Sequence, residues 1–296
     1  MQDSLRIPEH SEGLETMTVV IPAHNEASVL SSTLMTLLAK HTQDPEIVVV
    51  CNGCSDSSAS VARASAPSAI VLESSIASKA HALNLGDSHA RFFPRFYLDA
   101  DIRISPGALS IVARKMTDTG ALVASPRPVM DLQGCSWAVR AYYSVWLALP
   151  YVRDGLMGTG VYALSEKGRQ RFAEFPQVIA DDGYVRALFA PSERLLVTDC
   201  HVLVRAPQNL ANLIKIKTRS RLGVYELQMK YPELAQKMAP GTGGLAFVAR
   251  RPSLWLAAMV YLGVNLYTRR RAKRMARDRG FDVWERDDSR RAPSDG

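Results

Sequence analysis

Cysteine is scarce in this chain, and the four present, Cys51, Cys54, Cys135 and Cys200, have no disulfide-framework spacing, which excludes a small cross-linked secreted scaffold. The opening MQDSLRIPEHSEG lacks the basic and then apolar segments of a signal peptide, so a cytoplasmic protein is expected. Long apolar runs are missing too. The longest uncharged stretch, Pro252 to Thr268, has 17 residues, the lower bound for crossing a bilayer core. A general nucleic-acid surface is also absent. The formal charge is +7, but Arg269 to Arg279, RRRAKRMARDR, holds seven cations against one acid, and the remainder is close to neutral. What is present is an ordinary globular composition, 47% apolar and 22% charged over 296 residues, enough for one large core or two modest ones.

Strand and helix patterns alternate. Met17 to Ile21, MTVVI, is a β-branched run stopped by Pro22. Next comes a helical pattern with Val29, Leu30, Leu34, Leu37 and Leu38 on one face. Glu46 to Cys51, EIVVVC, is a second strand broken at Asn52-Gly53, and Ser55 to Ser58 offer caps for a helix ending near Pro67. Ala69 to Leu72 is a third strand, Ser75 to Ala90 a helix, and Phe96 to Ile104, FYLDADIRI, a fourth strand. Such alternation predicts a mostly parallel α/β sheet flanked by helices, with the site at the carboxyl ends of its strands.

Four segments then meet on one rim: Pro22-Ala23-His24-Asn25-Glu26, Asn52-Gly53-Cys54-Ser55-Asp56, Lys79 in SKAHALNLG, and Asp99-Ala100-Asp101. Side chains alternate along a strand, so Asp99 and Asp101 are expected on one side and Ala100 on the other. Two carboxylates that close repel unless something positive lies between them, and a hard divalent cation suits oxygen ligands. Each segment alone has a plainer reading: Asn25 and Asp56 as helix caps, Asn52-Gly53 as a turn, Lys79 as a solvated helix residue.

Taken in order, these segments resemble the family 2 glycosyltransferases of the GT-A fold. A P-x-x-N-E loop stands at Pro22 to Glu26, an N-D-G-S-x-D-like turn at CNGCSDSS, a K-x-x-A-L-N-x-G helix at Lys79 to Gly86, and then the D-x-D. The resemblance covers roughly Met17 to Arg221. It implies a nucleoside-diphosphate-sugar donor, with Pro22, Ala23, Asn25, Glu26, Asn52, Asp56 and Lys79 around the nucleotide. Asp99, Ala100 and Asp101 would lie at the ribose, and Asp99 and Asp101 would hold Mg²⁺ or Mn²⁺ against the leaving diphosphate. The glycines Gly158 and Gly160 in GLMGTGVYALS would permit close backbone approach to the sugars. The family's E-D motif falls on Asp181-Asp182, which makes Asp182 the base of an inverting transfer, although Asp181 replaces the glutamate. By itself that pair is also an acidic helix start favoured by the macrodipole. Arg219 and Arg221 stand near the Q-x-x-R-W region and would reach the diphosphate, but Leu222 replaces the tryptophan, which argues against a processive polymer synthase.

The rival readings are a sugar nucleotidyltransferase, disfavoured because its N-terminal glycine-rich phosphate loop is missing, and an inactive nucleotide-sugar-binding or assembly protein. A remoter one is a zinc deaminase built on His24-x-Glu26 and Cys51-x-x-Cys54, where Val50 replaces the proline of that signature. His201 is a candidate late metal ligand, although a strand histidine is more often simply packed. The aromatics of Trp137 to Tyr151 read first as a packed helix. Pro252 to Thr268, with cations on both sides, suits a helix in or on an anionic leaflet, the alternative being a helix packed on the domain. The expected organisation is a flexible segment 1–16, a GT-A domain 17–240, a membrane-associating helix with its basic cluster at 241–279, and a polar tail 280–296. The expected partners are a nucleotide-sugar donor, a sugar or lipid-linked envelope acceptor and the inner face of the cell membrane, with no nucleic acid.

Overall fold

The computed structural model describes residues 16–39, 44–149, 152, 159–236, 248 and 250–281. Its strands are β1 (Thr18–Ala23), β2 (Glu46–Asn52), β3 (Ile70–Ser74), β4 (Arg95–Leu98), β5 (Arg103–Ile104), β6 (Val123–Asp131), β7 (Val161–Leu164) and β8 (Arg194–Arg205). They form one sheet in the order β3-β2-β1-β4-β7-β6-β8-β5. The β3, β2, β1 and β4 strands run parallel, β7 lies antiparallel between β4 and β6, and β8 runs parallel to β6. After β1 the chain winds outward through β2 and β3, then returns to lay β4 on the other side of β1. The carboxyl ends of β1 and β4 are therefore the switch point where a doubly wound sheet opens a crevice.

Helices cover both faces, which is why these strands read as unbroken apolar runs. Val19 and Ile21 pack with Leu30, Leu34 and Leu109 on one side. Val20, one residue out of step, packs with Leu83, Tyr97 and Phe175 on the other. The helices used below are α1 (Ala27–Leu38), α2 (Ser58–Ser65), α3 (Lys79–His89), α4 (Ala108–Thr119), α5 (Trp137–Ala148), α6 (Glu166–Arg169), α7 (Asp181–Ala187), α8 (Leu210–Lys230), α9 (Pro232–Gln236) and α10 (Trp255–Arg279).

Several boundaries differ from the sequence reading, each for a physical reason. Pro22 does not stop β1, which runs on to Ala23 beside β2. Pairing with β4 ends at Val20, so Pro22 sits where the strand has one neighbour, and a missing N–H is tolerated there. FYLDADIRI is not one strand: β4 ends at Leu98, Asp99 to Asp101 form a turn in which the Ile102 N–H donates to the Asp99 carbonyl at 3.2 Å, and β5 restarts at Arg103. Strand alternation therefore does not place the two aspartates. The helix expected from Ser75 begins at Lys79, capped by the Ser78 hydroxyl, which accepts the His81 N–H. The next helix, α4, begins at Ala108, after Gly107 in the left-handed region. Arg194 to Arg205 form one long strand, β8, with a bulge in its pairing to β6.

The aromatic segment is a packed helix, as expected: Tyr142 and Tyr143 of α5 are buried, and the Lys217 ammonium of α8 lies over Tyr142, Tyr143 and Trp146. Trp137 at its start is 64% exposed. Tyr151 and Gly158 lie outside the described residues. Among the described residues no helix is long and apolar enough to cross a membrane. The C-terminal helix α10 packs instead along α5 and α8, burying Ala257, Ala258, Val264, Thr268 and Ala272.

Candidate active site

The first rim loop is held in an uncommon backbone state. Asn25 has φ +53°, a left-handed conformation that asparagine tolerates better than most residues. Its side-chain oxygen accepts the Ser55 N–H at 2.8 Å, and its own N–H reaches the Cys54 sulfur at 3.4 Å. Asp56 completes the clasp. One of its carboxylate oxygens accepts the N–H of Ala27, first residue of α1, at 3.1 Å, and the other accepts the N–H and hydroxyl of Ser58, first residue of α2. Burial alone would raise this carboxyl, but the Ser58 hydroxyl and the Ala27 and Ser58 N–H groups outweigh it and hold the pKa below the ordinary value. The capping reading of Asp56 is thus realised. The buried Glu26 donates its N–H to the Ser58 hydroxyl at 2.8 Å. These residues fasten the loops after β1 and β2 into one rigid lip.

The zinc reading fails on the same loops. His24 Nδ1 lies 2.5 Å from the carbonyl oxygen of the buried Asn52, which can only accept, so the proton is on Nδ1. The Cys54 thiol donates to the Ala23 carbonyl at 3.4 Å, and burial pushes the Cys51 thiol up to about 12. Neither cysteine has the environment of a metal-bound thiolate. Among the described residues no group of three His, Cys, Asp or Glu could hold a metal, and His201, expected to be packed, is exposed on β8.

Across the crevice the charges converge. Lys79, the first residue of α3, places its ammonium 2.8 Å from Asp99 and 3.0 Å from Asp181. Burial by itself would lower the lysine pKa, but the Asp181 and Asp99 carboxylates outweigh it, so the ammonium stays charged. Asp181 is buried at the start of α7 and committed to that ion pair. Asp182, next to it, is half-buried and accepts the Gly183 N–H at 2.7 Å, with no ion pair among the described residues. Burial and then the Asp181 carboxylate push Asp182 up to about 6, against the opposing pull of Lys79. Two adjacent aspartates are thereby separated into an ion-paired one and one whose proton affinity suits general-base work near neutrality.

The pocket around them is lined by Pro22, Lys79, Asp99, Gly160, Tyr162, Asp181 and Asp182, with apolar walls from Leu83, Leu98 and Val185. Gly160 has φ +77°, and a Cβ there would stand 2.6 Å from Ile102 and 3.1 Å from an Asp99 oxygen, so only glycine lets β7 approach the aspartate turn. Its carbonyl accepts the Asp99 N–H at 2.7 Å. Tyr162 was not singled out from the sequence, yet its buried hydroxyl lines the pocket and has no hydrogen-bond partner among the described residues. The signal available was a tyrosine two residues beyond a glycine-rich turn, too common a pattern to act on.

Other expected residues serve elsewhere. The Ala100 carbonyl accepts the Thr33 hydroxyl of α1 at 2.8 Å, and Ala100 itself is buried. Arg221 donates to Asn265 of α10 at 2.8 Å. Neither Arg219 nor Arg221 lines the pocket with Lys79.

Such a fold, with acids and a lysine gathered at the switch point of a Rossmann-like sheet, is the GT-A architecture of nucleotide-sugar transferases. The sequence model of glycosyl transferase family 2 matches residues 18–159, and this match, with the fold, makes the chain a glycosyltransferase. The fold is similar to that of the Pyrobaculum calidifontis mannosyltransferase PcManGT, solved with GDP-Man and Mn²⁺, at a TM-score of 0.59 and 20% identity, over 89% of this chain and 75% of that one. It is also similar to S. aureus TarS in complex with UDP, at a TM-score of 0.51 and 12% identity over 93% and 95% of the two chains. Glucosyl-3-phosphoglycerate synthase from Mycobacterium tuberculosis, with Mg²⁺ and UDP, aligns at a TM-score of 0.52 and 17% identity over 77% and 82%. A search of curated proteins gave no match.

Proposed function

We propose that this glycosyltransferase moves a sugar from a nucleoside diphosphate to a hydroxyl of an envelope, lipid-linked or polysaccharide acceptor, with inversion at the anomeric carbon. The observation that carries this reading is the convergence of Lys79, Asp99, Asp181 and Asp182 at the carboxyl ends of β1 and β4. The rigid lip of Asn25, Asn52 and Asp56 receives the nucleotide, and the Lys79 ammonium lies where a diphosphate needs a donor of positive charge. Asp182 takes the proton from the acceptor oxygen as that oxygen attacks opposite the leaving group. Asp181, engaged by Lys79, is not available as a second carboxylate nucleophile, which favours a single displacement.

The donor set suits Mg²⁺ or Mn²⁺. Asp99 and Asp101 offer hard oxygens from one tight turn, and an ion that arrives with a diphosphate needs only one or two carboxylates from the protein. Asp99 and Asp101 together are the residues we assign to hold it. When bound, the ion would offset charge developing on the leaving diphosphate. The neighbours' GDP-Man, UDP, Mn²⁺ and Mg²⁺ support this donor and metal class.

The test is a panel of nucleoside-diphosphate sugars assayed for release of nucleoside diphosphate. Turnover is expected with one or a few donors, to fall to background in excess chelator, and to return with Mg²⁺ or Mn²⁺. Full activity in chelator would remove the metal from the proposal. Release of pyrophosphate in place of nucleoside diphosphate would point to nucleotidyl transfer.

A further inference from the structure

The C-terminal helix α10 has two apolar faces, and among the described residues only one of them is covered by the rest of the protein. Ala257, Ala258, Val264, Thr268 and Ala272 are buried against α5 and α8. Polar contacts fix that docking. Arg221 of α8 bonds Asn265 at 2.8 Å, and Arg271 reaches the buried Thr218 of α8 at 3.3 Å. On the opposite face Trp255, Leu256, Met259, Leu262, Leu266 and Tyr267 are 51–67% exposed. They recur every three or four residues, so they form one stripe along the helix. At a rise of about 1.5 Å per residue the stripe is roughly 18 Å long, too large to be scattered surface apolar residues.

The stripe runs directly into charge of one sign. Beyond Tyr267 the exposed positions are Arg269, Arg270, Lys273, Arg274 and Arg277, and the preceding turn carries the exposed Arg250 and Arg251. The single acid on the helix, Asp278, is paired with Arg277 at 2.8 Å. A second copy of this chain is a poor occupant, because a two-fold arrangement sets this cluster either against itself or against the apolar stripe. An anionic bilayer surface offers both complements in one plane: acyl chains for the stripe and lipid phosphates for the cations flanking it. Trp255 and Tyr267, at either end of the stripe, are side-chain types that favour the water boundary.

We infer that α10 is an in-plane membrane-docking helix, its inner face a permanent part of the domain and its outer face inserted shallowly into an anionic leaflet. Insertion across the bilayer is ruled out for this helix by its docking on α5 and α8, and Arg271 is an anchor to α8, not a lipid contact. The inference uses no step of sugar transfer. Donor turnover measured on the same proteins therefore separates failure of this surface from failure of the glycosyltransferase reading.

The experiment is flotation of the full chain with phosphatidylcholine vesicles, with and without phosphatidylglycerol, beside the triple variant L256Q/L262Q/L266Q and the cation variant R270Q/K273Q/R274Q. The expected result is flotation of the wild type with anionic vesicles and little with neutral ones. Both variants should lose binding by about tenfold or more, while their melting curves and soluble-donor turnover match the wild type. Absence of flotation, equal flotation of the stripe variant, or a wild-type dimer that this variant dissociates in lipid-free solution would each overturn the inference.

Discussion

Asp182→Asn is expected to lower kcat by at least about a hundredfold with donor affinity nearly intact, since a positioned general base contributes on the order of 10²–10⁴ in rate. Asparagine keeps the size of the side chain and can still accept the Gly183 N–H through its amide oxygen, but it cannot take the acceptor's proton. The wild-type pH profile carries the same signature. Because Asp182 is pushed up to about 6, its base form accumulates only as pH rises through that value, so kcat/KM should climb to a plateau above about 6 and fall on the acid side. In Asp182→Asn that acid limb should vanish from the residual rate. Asp181→Asn should behave differently, because it releases Lys79 from one of its two carboxylates, and its main effect is expected on donor affinity. Steady-state kinetics on the two variants decide the matter. If Asp181→Asn removes the base limb and Asp182→Asn keeps it, the base has been placed one position too late.

Both aspartates could be singled out along the chain because the site is assembled from the ends of successive elements, where local signals are strongest. Apolar runs stop at the rim, and the residues just beyond them, among them Asn25, Asp56, Lys79 and Asp99, are polar for a reason that is visible in the sequence. The details fixed by tertiary contact were not visible. Pro22 reads as a strand end until one knows that β4 has already stopped pairing at Val20. The aspartate pair reads as part of a strand because FYL and IRI flank it, and only the turn, with Gly160 pressed against it, shows otherwise. The tail was ambiguous for a similar reason. A helix that is apolar all round gives no periodicity to separate a face docked on α5 and α8 from one left bare. Arg221 could be picked out as a cation near a family motif, but its Asn265 partner, 44 residues away in sequence, could not.

The group least legible of all carries the last prediction, a large loss of stability in Asp87→Asn. Asp87 lies near the end of α3, with side-chain exposure of 10%, and receives hydrogen bonds from Arg95 of β4 at 2.5 Å, the Tyr97 hydroxyl at 2.5 Å and Arg169 of α6 at 2.9 Å. Arg169 also lies over the Phe172 ring at 4.4 Å, so its charge has little water around it. Burial alone would raise the Asp87 pKa, but Tyr97, Arg169 and Arg95 outweigh it and hold the carboxyl below its ordinary range. Removing this charge leaves two nearly buried guanidinium groups facing each other with no counter-ion, a change that costs about 3–5 kcal/mol. At roughly 2–4 °C per kcal/mol for a chain of this size, the melting temperature should fall by about 10 °C. The exposed pair Arg63–Glu73 is the control, and Glu73→Gln should change stability by no more than about 1 kcal/mol. The pH dependence has a definite sign. A depressed carboxyl pKa adds stability that is fully present above the unfolded value of about 3.9 and disappears as pH falls through the folded one. Denaturant melts of wild type and Asp87→Asn should therefore differ by a constant amount from neutrality down to about pH 4 and converge below it. Equal stability at neutral pH would mean that the two arginines find other partners. Since Asp87 and Lys79 occupy opposite ends of the same helix, that result would also detach the position of the active-site lysine from this network.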